Sequence, residues 1–154
     1  MLIKLQSKSI EETADLGNKL SKLITVPFII ALYGPLGAGK TELCRSILLN
    51  FGVKKVKSPT FTIVKEYDED FKIYHIDAYR LHSGSELMEI GFEEMLSEEA
   101  LIVIEWAENV MDALPAERLE IRVAGSGNDI RDIMLQSVGN KYEHFLEDYE
   151  NTSY

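Results

Sequence analysis

A lysine and a threonine close a glycine-rich run in the first third of the chain, and this combination is typical of phosphate binding. The run reads Gly34-Pro35-Leu36-Gly37-Ala38-Gly39-Lys40-Thr41, which matches the pattern Gly-x-x-x-x-Gly-Lys-Thr. Glycines allow backbone dihedrals that aim successive N–H groups at one point, and a following helix presents its positive N-terminus there. Lys40 would reach the β- and γ-phosphates, and the Thr41 hydroxyl would bind Mg²⁺. The run therefore predicts a site for a nucleoside triphosphate with Mg²⁺, formed by Gly34, Leu36, Gly37, Ala38, Gly39, Lys40 and Thr41.

Two carboxylates follow apolar runs that are predicted to be buried strands. Glu105 follows the run 101–104, and we expect it to be the second Mg²⁺ ligand, directly or through a water. Asp is commoner than Glu at such a position, and the alternative is an ordinary strand-end carboxylate. Asp77 follows the run 73–76 and could orient the attacking water or support the metal shell. Its alternative role is a salt bridge or a cap, for instance with Arg80.

Two further residues near the predicted site have more than one interpretation. Thr60, in the run Ser58-Pro59-Thr60, lies where many P-loop proteins carry a switch that senses the γ-phosphate. It could equally be a simple turn hydroxyl. Trp106 follows Glu105 and is either a core residue or a residue beside the site that responds to nucleotide or partner.

The elements that must position these residues can be predicted from hydrophobic spacing. Phe28–Tyr33 is a continuous apolar run typical of a buried parallel strand. Ser9 and Glu12 form a capping-box pattern that begins a helix. The other predictions are a helix over 42–50, a hairpin of 61–67 with 71–77, helical turns at 86–90 and 92–96, a strand at 101–104, a hairpin of 119–123 with 130–136, and a helix within 141–154. This order predicts an α/β three-layer P-loop NTPase fold with a mostly parallel central sheet and antiparallel additions.

Length and composition indicate an ordinary globular chain. Its 154 residues predict a single P-loop ATPase domain over 1–140 and an acidic tail over 141–154, partly helical and frayed. No apolar stretch reaches the roughly 20 residues of a membrane helix, and the start lacks the apolar core of a signal peptide, so we expect a cytoplasmic protein without membrane contact. The single cysteine, Cys44, fits a reducing compartment and a plain core thiol.

The net charge of −10 is unevenly divided along the chain. Up to Lys65 there are ten Lys or Arg against four Asp or Glu, giving +6, and the remainder has six against twenty-two, giving −16. A generally acidic surface disfavours non-specific binding to nucleic acid, which needs many phosphate contacts. The acidic part is either a solvated surface or a docking face for a basic partner.

The ordered series of motifs resembles the bacterial TsaE family over about residues 1–136. The motifs are the P-loop, Val56-Lys57-Ser58-Pro59-Thr60-Phe61, Tyr74-His75-Ile76-Asp77-x-Tyr79-Arg80-Leu81, Glu86-Leu87, Gly91 and Ile104-Glu105-Trp106. The resemblance implies a small ATPase that acts in forming N6-threonylcarbamoyladenosine at the tRNA adenosine beside the anticodon, position 37. It implies docking on the TsaD–TsaB pair, of which TsaD is the transferase, so that tRNA is met indirectly through the complex. It also implies an ATPase activity that is weak alone and rises in the complex, and we expect a monomer when the protein is free.

The resemblance also implies roles for particular residues. Thr41 and Glu105 would bind Mg²⁺, and Asp77 and Thr60 would serve hydrolysis and its coupling to the partner. The start of the first helix would approach the adenine, which places Ser9 or Ile10 there, and a contact from the last hairpin would fall at Gly127 or Asn128. Pro35 departs from the family pattern, in which an acidic residue is common, and it removes a backbone N–H that need not donate to phosphate. Lys54, Lys55 and Lys57 could touch tRNA or a partner, or could be solvated lysines.

Two other functions compete with the partner-dependent ATPase. A kinase for a small metabolite would fit the size and the P-loop, but the arginine-rich lid expected of such kinases is not evident among the five arginines. A non-hydrolysing nucleotide sensor would toggle docking through Thr60 without useful catalysis. The three differ in whether ADP formation depends on a protein pair, on an added acceptor, or on neither.

Overall fold

Seven strands of the described residues form one sheet, flanked by helices. The computed structural model describes residues 1–35, 39–54, 63–125 and 130–152. The strands are β1 (Leu2–Ser7), β2 (Phe28–Tyr33), β3 (Val64–Asp68), β4 (Lys72–Asp77), β5 (Ala100–Glu105), β6 (Arg118–Gly125) and β7 (Arg131–Val138). The helices are α1 (Ile10–Ser21), α2 (Lys40–Leu49), α3 (Gly84–Glu89), α4 (Phe92–Leu96) and α5 (Asn140–Asn151), with a 3₁₀ segment at Ala107–Ala113.

The strand order is β1-β7-β6-β2-β5-β4-β3. The four central strands, β6, β2, β5 and β4, pair in parallel. The outer pairs β1–β7, β7–β6 and β4–β3 are antiparallel. The predicted α/β fold, with a mostly parallel centre and antiparallel additions, is therefore confirmed.

Strand β2 lies at the centre of the sheet and faces apolar side chains on both sides. Phe28, Ile30 and Leu32 belong to one buried cluster, which also contains residues of α1, α2 and α5. Ala31 and Tyr33 belong to a second cluster with residues of α3, α4 and the 3₁₀ segment. This two-sided burial explains the continuous apolar run, because alternate side chains of a strand point to opposite faces. The result is a helix–sheet–helix arrangement with the P-loop at the carboxyl end of the central strand.

The first helix begins at the capping box that the sequence predicts. The Glu12 N–H donates to Ser9 Oγ at 3.0 Å, and the Lys8 N–H donates to a Glu12 carboxylate oxygen at 2.6 Å. The partner of the Glu12 carboxylate is thus one residue earlier than in the usual reciprocal pattern. Helix α1 packs beside α2, and together they cover one face of the sheet.

The C-terminal helix packs on the start of β2. The ring of Phe28 lies 4.8 Å from the rings of both Tyr142 and Phe145, measured between centroids. The Tyr142 hydroxyl oxygen also accepts the Ile29 N–H at 3.0 Å. Helix α5 therefore has a buried face inside the main cluster, although most of its other residues are charged.

Two elements have no counterpart among the predictions. Strand β1 pairs with β7 from Leu2↔Gln136 to Ser7↔Arg131, a contact between the two ends of the chain that no local pattern reveals. The 3₁₀ segment follows directly on β5 and is interrupted by non-helical dihedrals at Val110. Within the described ranges, none of the helices combines the length and apolar character needed to cross a membrane.

Candidate functional site: a P-loop facing two carboxylates

The carboxyl ends of three neighbouring parallel strands bring the predicted site residues to one edge of the sheet. Strand β5 ends at Glu105, which pairs in register with Leu32 of β2 and with Asp77 of β4. Strand β2 leads into the P-loop, and helix α2 begins at Lys40. Ligands of open α/β sheets bind at such an edge, outside the carboxyl ends of the strands.

Lys40 is buried against its own loop and against an aromatic ring. Its side chain is 4% exposed, its ammonium donates to the Gly34 carbonyl, and Nζ lies 3.4 Å from the centroid of the Trp106 ring. Burial lowers the pKa of Lys40, whereas the nearby charges of Glu108, Glu105 and Asp77 raise it. The lysine is therefore a partly desolvated cation, and such a cation is a strong partner for phosphate oxygens.

Thr41 and Glu105 present two oxygen atoms to each other across the site. The Thr41 hydroxyl donates to Glu105 Oε1 at 3.3 Å, and Glu105 is only 3% exposed. Neighbouring ligands of an octahedral Mg²⁺ with bonds of 2.0–2.1 Å lie about 2.9 Å apart. The pair therefore needs only a small adjustment to serve as two ligands of this ion. A hydroxyl and a carboxylate are also the hard oxygen donors that Mg²⁺ prefers.

A buried histidine holds the other oxygen of Glu105, and the sequence reasoning did not assign it to the site. His75 Nε2 lies 2.5 Å from Glu105 Oε2 and 3.5 Å from Cys44 Sγ, and the His75 side chain is fully buried. Burial by itself lowers the pKa of His75, but the Cys44 and Glu105 side chains outweigh burial and raise that pKa. Cys44 is in the core, as predicted. The available signal for His75 was its place two residues before Asp77 on a strand whose alternate residues face α2.

Asp77 lies at the end of β4, half-buried and close to the same charges. Its Oδ1 accepts the Tyr79 N–H at 3.0 Å, which leaves the second carboxylate oxygen for other partners. Burial raises the pKa of Asp77 and the charge of Glu105 also raises it, while the hydrogen bond from the Tyr79 N–H and the charges of His75 and Lys40 lower it. Within the described ranges no ion pair joins Asp77 to Arg80. Of the two alternative roles predicted for Asp77, a salt bridge or a cap, the structure therefore shows the cap.

Trp106 lies beside the site and has an unusual backbone conformation. Its φ of 60° is the left-handed region, which is uncommon for residues other than glycine. This turn directs its ring over Lys40, and the Tyr79 ring packs at 4.9 Å between centroids. Of the two interpretations for Trp106, the structure supports a residue beside the P-loop, because only part of it is buried. A strained residue is found most often where a site requires it.

A small cleft joins the start of α1 to the start of α2. It is lined by Ser9, Ile10, Thr13, Gly39, Glu42 and Arg131. Gly39 has a φ of +101°, a backbone conformation that favours glycine, and a Cβ there would also press on the Arg131 side chain, 3.0 Å from its Nε. Arg131, which no sequence pattern assigned to the site, also lines this cleft. Ile10 is 56% exposed at this cleft, and its contact with an adenine stays a prediction.

Several predicted residues lie outside the described ranges. They are Leu36, Gly37 and Ala38 of the P-loop, Thr60 of the possible switch, Gly127 or Asn128 of the last hairpin, and Lys55 and Lys57. Their roles remain predictions. Lys54, at the end of a described range, is exposed.

Comparisons with known proteins agree with the fold and the motif series. The model of the family described as "Threonylcarbamoyl adenosine biosynthesis protein TsaE" matches residues 7–133. A Bacillus subtilis protein named as the tRNA threonylcarbamoyladenosine biosynthesis protein TsaE is 34% identical over 95% of this chain and 92% of its own. The Rickettsia felis protein of the same name is 40% identical over 93% of this chain and 84% of its own. The crystal structure of Bacillus subtilis YdiB superposes with a TM-score of 0.84 at 30% identity, covering 97% of this chain and 95% of that one.

Proposed function

This chain belongs to the TsaE family of threonylcarbamoyl adenosine biosynthesis proteins, and we propose that it is a Mg²⁺-dependent ATPase of that pathway. In this proposal the protein docks on the TsaD–TsaB pair and supports repeated rounds of tRNA modification at position 37. Its ATPase activity is weak when the protein is alone and rises in the complex. Membership of the family supports the pathway, and the geometry of the site supports the ATPase activity.

The observation that carries the ATPase proposal is the contact between Thr41 and Glu105. Their oxygens lie 3.3 Å apart, at the junction of α2 and β5. Two acidic side chains, Glu105 and Asp77, would repel a triphosphate unless a divalent cation lay between them and the phosphates. The site therefore favours ATP together with Mg²⁺ over a nucleotide alone.

Each side chain at the site has one role in the proposed hydrolysis. Lys40 would bind oxygens of the β- and γ-phosphates, and Thr41 and Glu105 would hold Mg²⁺. Bound Mg²⁺ supplies charge neutralisation to the phosphate oxygens. Asp77 would orient the water that attacks the γ-phosphorus, while the bond to the β,γ-bridging oxygen breaks and ADP leaves. Burial of Lys40 and Glu105 limits competing water and strengthens these interactions.

The first test is ATP hydrolysis with Mg²⁺, measured for the protein alone and with a matching TsaD–TsaB pair. We expect marked stimulation by the pair. Lys40→Ala should lower the stimulated turnover by roughly 100-fold or more, because it removes a cation from the transferring phosphate. Glu105→Gln keeps the shape of the side chain and removes its charge, so it should lower turnover more than it weakens nucleotide binding.

Glu147→Ala is a matched control, since Glu147 is an exposed acidic residue on α5. It should leave turnover and stimulation unchanged. If ATP binds but the pair gives no stimulation, the nucleotide site stands and the partner assignment falls. ADP formation that depends on an added metabolite would instead support a kinase. Unchanged turnover in Glu105→Gln would remove Glu105 from the mechanism.

A further inference from the structure

The Glu105 carboxylate is held from two sides, and its two oxygens face different partners. Oε1 accepts the Thr41 hydroxyl at 3.3 Å, and Oε2 lies 2.5 Å from His75 Nε2. Thr41 lies in the first turn of helix α2, whereas His75 comes from β4, the strand next to β5 in the sheet. Oε2 of Glu105 is therefore bound to the protein, while Oε1 faces the proposed Mg²⁺ site.

The surroundings of His75 decide which of its nitrogens carries a hydrogen. Within the described part of the chain, Nδ1 is buried without a hydrogen-bond partner. A neutral ring protonated only at Nδ1 would leave a buried N–H unpaired and would set the Nε2 lone pair against a carboxylate. With the hydrogen on Nε2, the neutral ring donates to Glu105, and the unpaired Nδ1 is only an acceptor. A ring that carries a hydrogen on both nitrogens makes the same donation from Nε2. Since an unpaired buried N–H costs more than an unpaired buried acceptor, Nε2–H donates to Glu105 Oε2.

The remaining contacts of His75 are too weak to explain a fully buried imidazole. Cys44 Sγ is 3.5 Å from the same Nε2, and a thiol sulfur is a poor acceptor. The ring lies on the same strand face as Ile73, two residues earlier, which is a purely apolar core residue. An aliphatic residue would fill this position at lower cost. The hydrogen bond to Glu105 is therefore the interaction that a histidine supplies here.

We propose that His75 is a positioning residue, whose Nε2–H fixes the Glu105 carboxylate with Oε1 turned towards Thr41 and the Mg²⁺ site. This inference rests on the proposed ATPase function. Residues that orient a metal ligand from behind typically contribute 10- to 100-fold to metal affinity or activity. Without the donor, the carboxylate would rotate or draw in other partners, and the pair of oxygens would no longer be set for one ion.

The test compares two amides that differ only in reach. In His75→Gln the amide nitrogen lies near the position of Nε2 and can donate to Glu105, whereas in His75→Asn the side chain is one methylene shorter and falls short of it. The measurement is ATP affinity by titration calorimetry over a range of Mg²⁺ concentrations. We expect the Mg²⁺ concentration that gives half of the maximal gain in ATP affinity to be roughly 10- to 100-fold higher in His75→Asn than in the natural protein. His75→Gln should stay within about threefold of the natural protein, and affinity without Mg²⁺ should change little in either variant.

Ile73→Val controls for a general loosening of the same strand face. It should lower the midpoint of thermal unfolding, because it removes a buried methyl group, and leave the Mg²⁺ requirement unchanged. Equal Mg²⁺ requirements in His75→Gln and His75→Asn would overturn the positioning role, and so would a raised requirement in Ile73→Val. If the natural protein itself binds ATP without any effect of Mg²⁺, the proposed function fails, and this outcome is distinguishable from failure of the role of His75.

Discussion

Asp77 is a half-buried carboxylate whose charge destabilises the folded protein. Burial raises the pKa of its carboxyl, so the folded protein binds a proton there more tightly than the unfolded chain does. At neutral pH, where Asp77 is ionised, its charge therefore lowers the free energy of unfolding. In the proposed ATPase, its position beside Glu105 and Lys40 gives a functional reason for keeping it, since catalytic sites often retain groups that lower stability.

Replacing Asp77 by Asn should separate these two effects. The amide keeps an oxygen for the Tyr79 N–H and removes the charge, so the midpoint of thermal unfolding at neutral pH should rise. That gain should shrink as the pH falls through the raised pKa, because Asp77 becomes protonated in the natural protein. Hydrolysis should fall by about 100-fold or more, since the water loses its orienting carboxylate. Scanning calorimetry at several pH values and an ATPase assay would measure both.

A lower unfolding midpoint in Asp77→Asn would mean that the charge stabilises the fold through Lys40 or His75. Unchanged hydrolysis would leave Asp77 with only its local cap. The two readouts are independent, and each can fail alone.

Site residues that belong to a local sequence motif could be predicted. Site residues whose role depends on a contact with a residue far away in the sequence could not. Lys40 and Thr41 could be recognised from a motif of eight consecutive residues. Glu105 and Asp77 could be predicted because each follows an apolar strand. His75 reads in the sequence as one more residue of a buried strand. Its role arises only because β4 and β5 are neighbours in parallel register, which places it against Glu105.

Two polar residues, Ser9 and Glu12, cap the start of helix α1, which also borders the site. Ser9 Oγ accepts the Glu12 N–H, and the Glu12 carboxylate accepts the Lys8 N–H. The same helix start lines the cleft beside Gly39. Ser9 therefore both caps this helix and lines the cleft.

Ser9→Ala should lower the free energy of unfolding by about 1 kcal/mol, because one backbone N–H of the first turn loses its acceptor. Ser9→Asp offers another acceptor and should recover most of this loss. Urea unfolding of the nucleotide-free protein would measure both values. Equal stability of Ser9→Ala and the natural protein would mean that water or another group replaces the cap.

Elements with buried faces on both sides were easier to predict than elements that depend on distant partners. Strands β2 and β5 are continuous apolar runs, and the structure pairs them in parallel at the centre. Strand β1 is as long as β2 and β5, but it has a mixed composition and is stabilised by β7 at the other end of the chain. The 3₁₀ segment is set by the turn at Trp106 and by packing on α3, neither of which has a local signature.

The two ends of the chain meet in one half of the molecule. Strand β1 pairs with β7, and α5 packs on β2 through Tyr142 and Phe145. The main hydrophobic cluster therefore contains residues from α1 near the start to α5 near the end of the described chain. Strongly acidic composition in the last segment gave no sign of this, because only one face of α5 is apolar.

Phe145→Ala should lower the free energy of unfolding by about 3–5 kcal/mol, since it opens a cavity against Phe28 and the start of β2. Glu147→Ala, two residues further along the same helix and exposed, should stay within about 0.5 kcal/mol of the natural protein. Chemical unfolding followed by circular dichroism would give both values. A small effect of Phe145→Ala would show that α5 contributes little to the stability of the sheet.

Among the strands of the described residues, β3 forms one outer edge of the sheet. Three of its five residues, Lys65, Glu66 and Asp68, are exposed. Unpaired backbone groups on such an edge invite a strand of another molecule to add to the sheet, and charged side chains discourage that addition. A second copy approaching β3 edge to edge would bring its own charged residues against these three. Charged side chains on this short edge therefore disfavour the edge-to-edge association of two copies through β3.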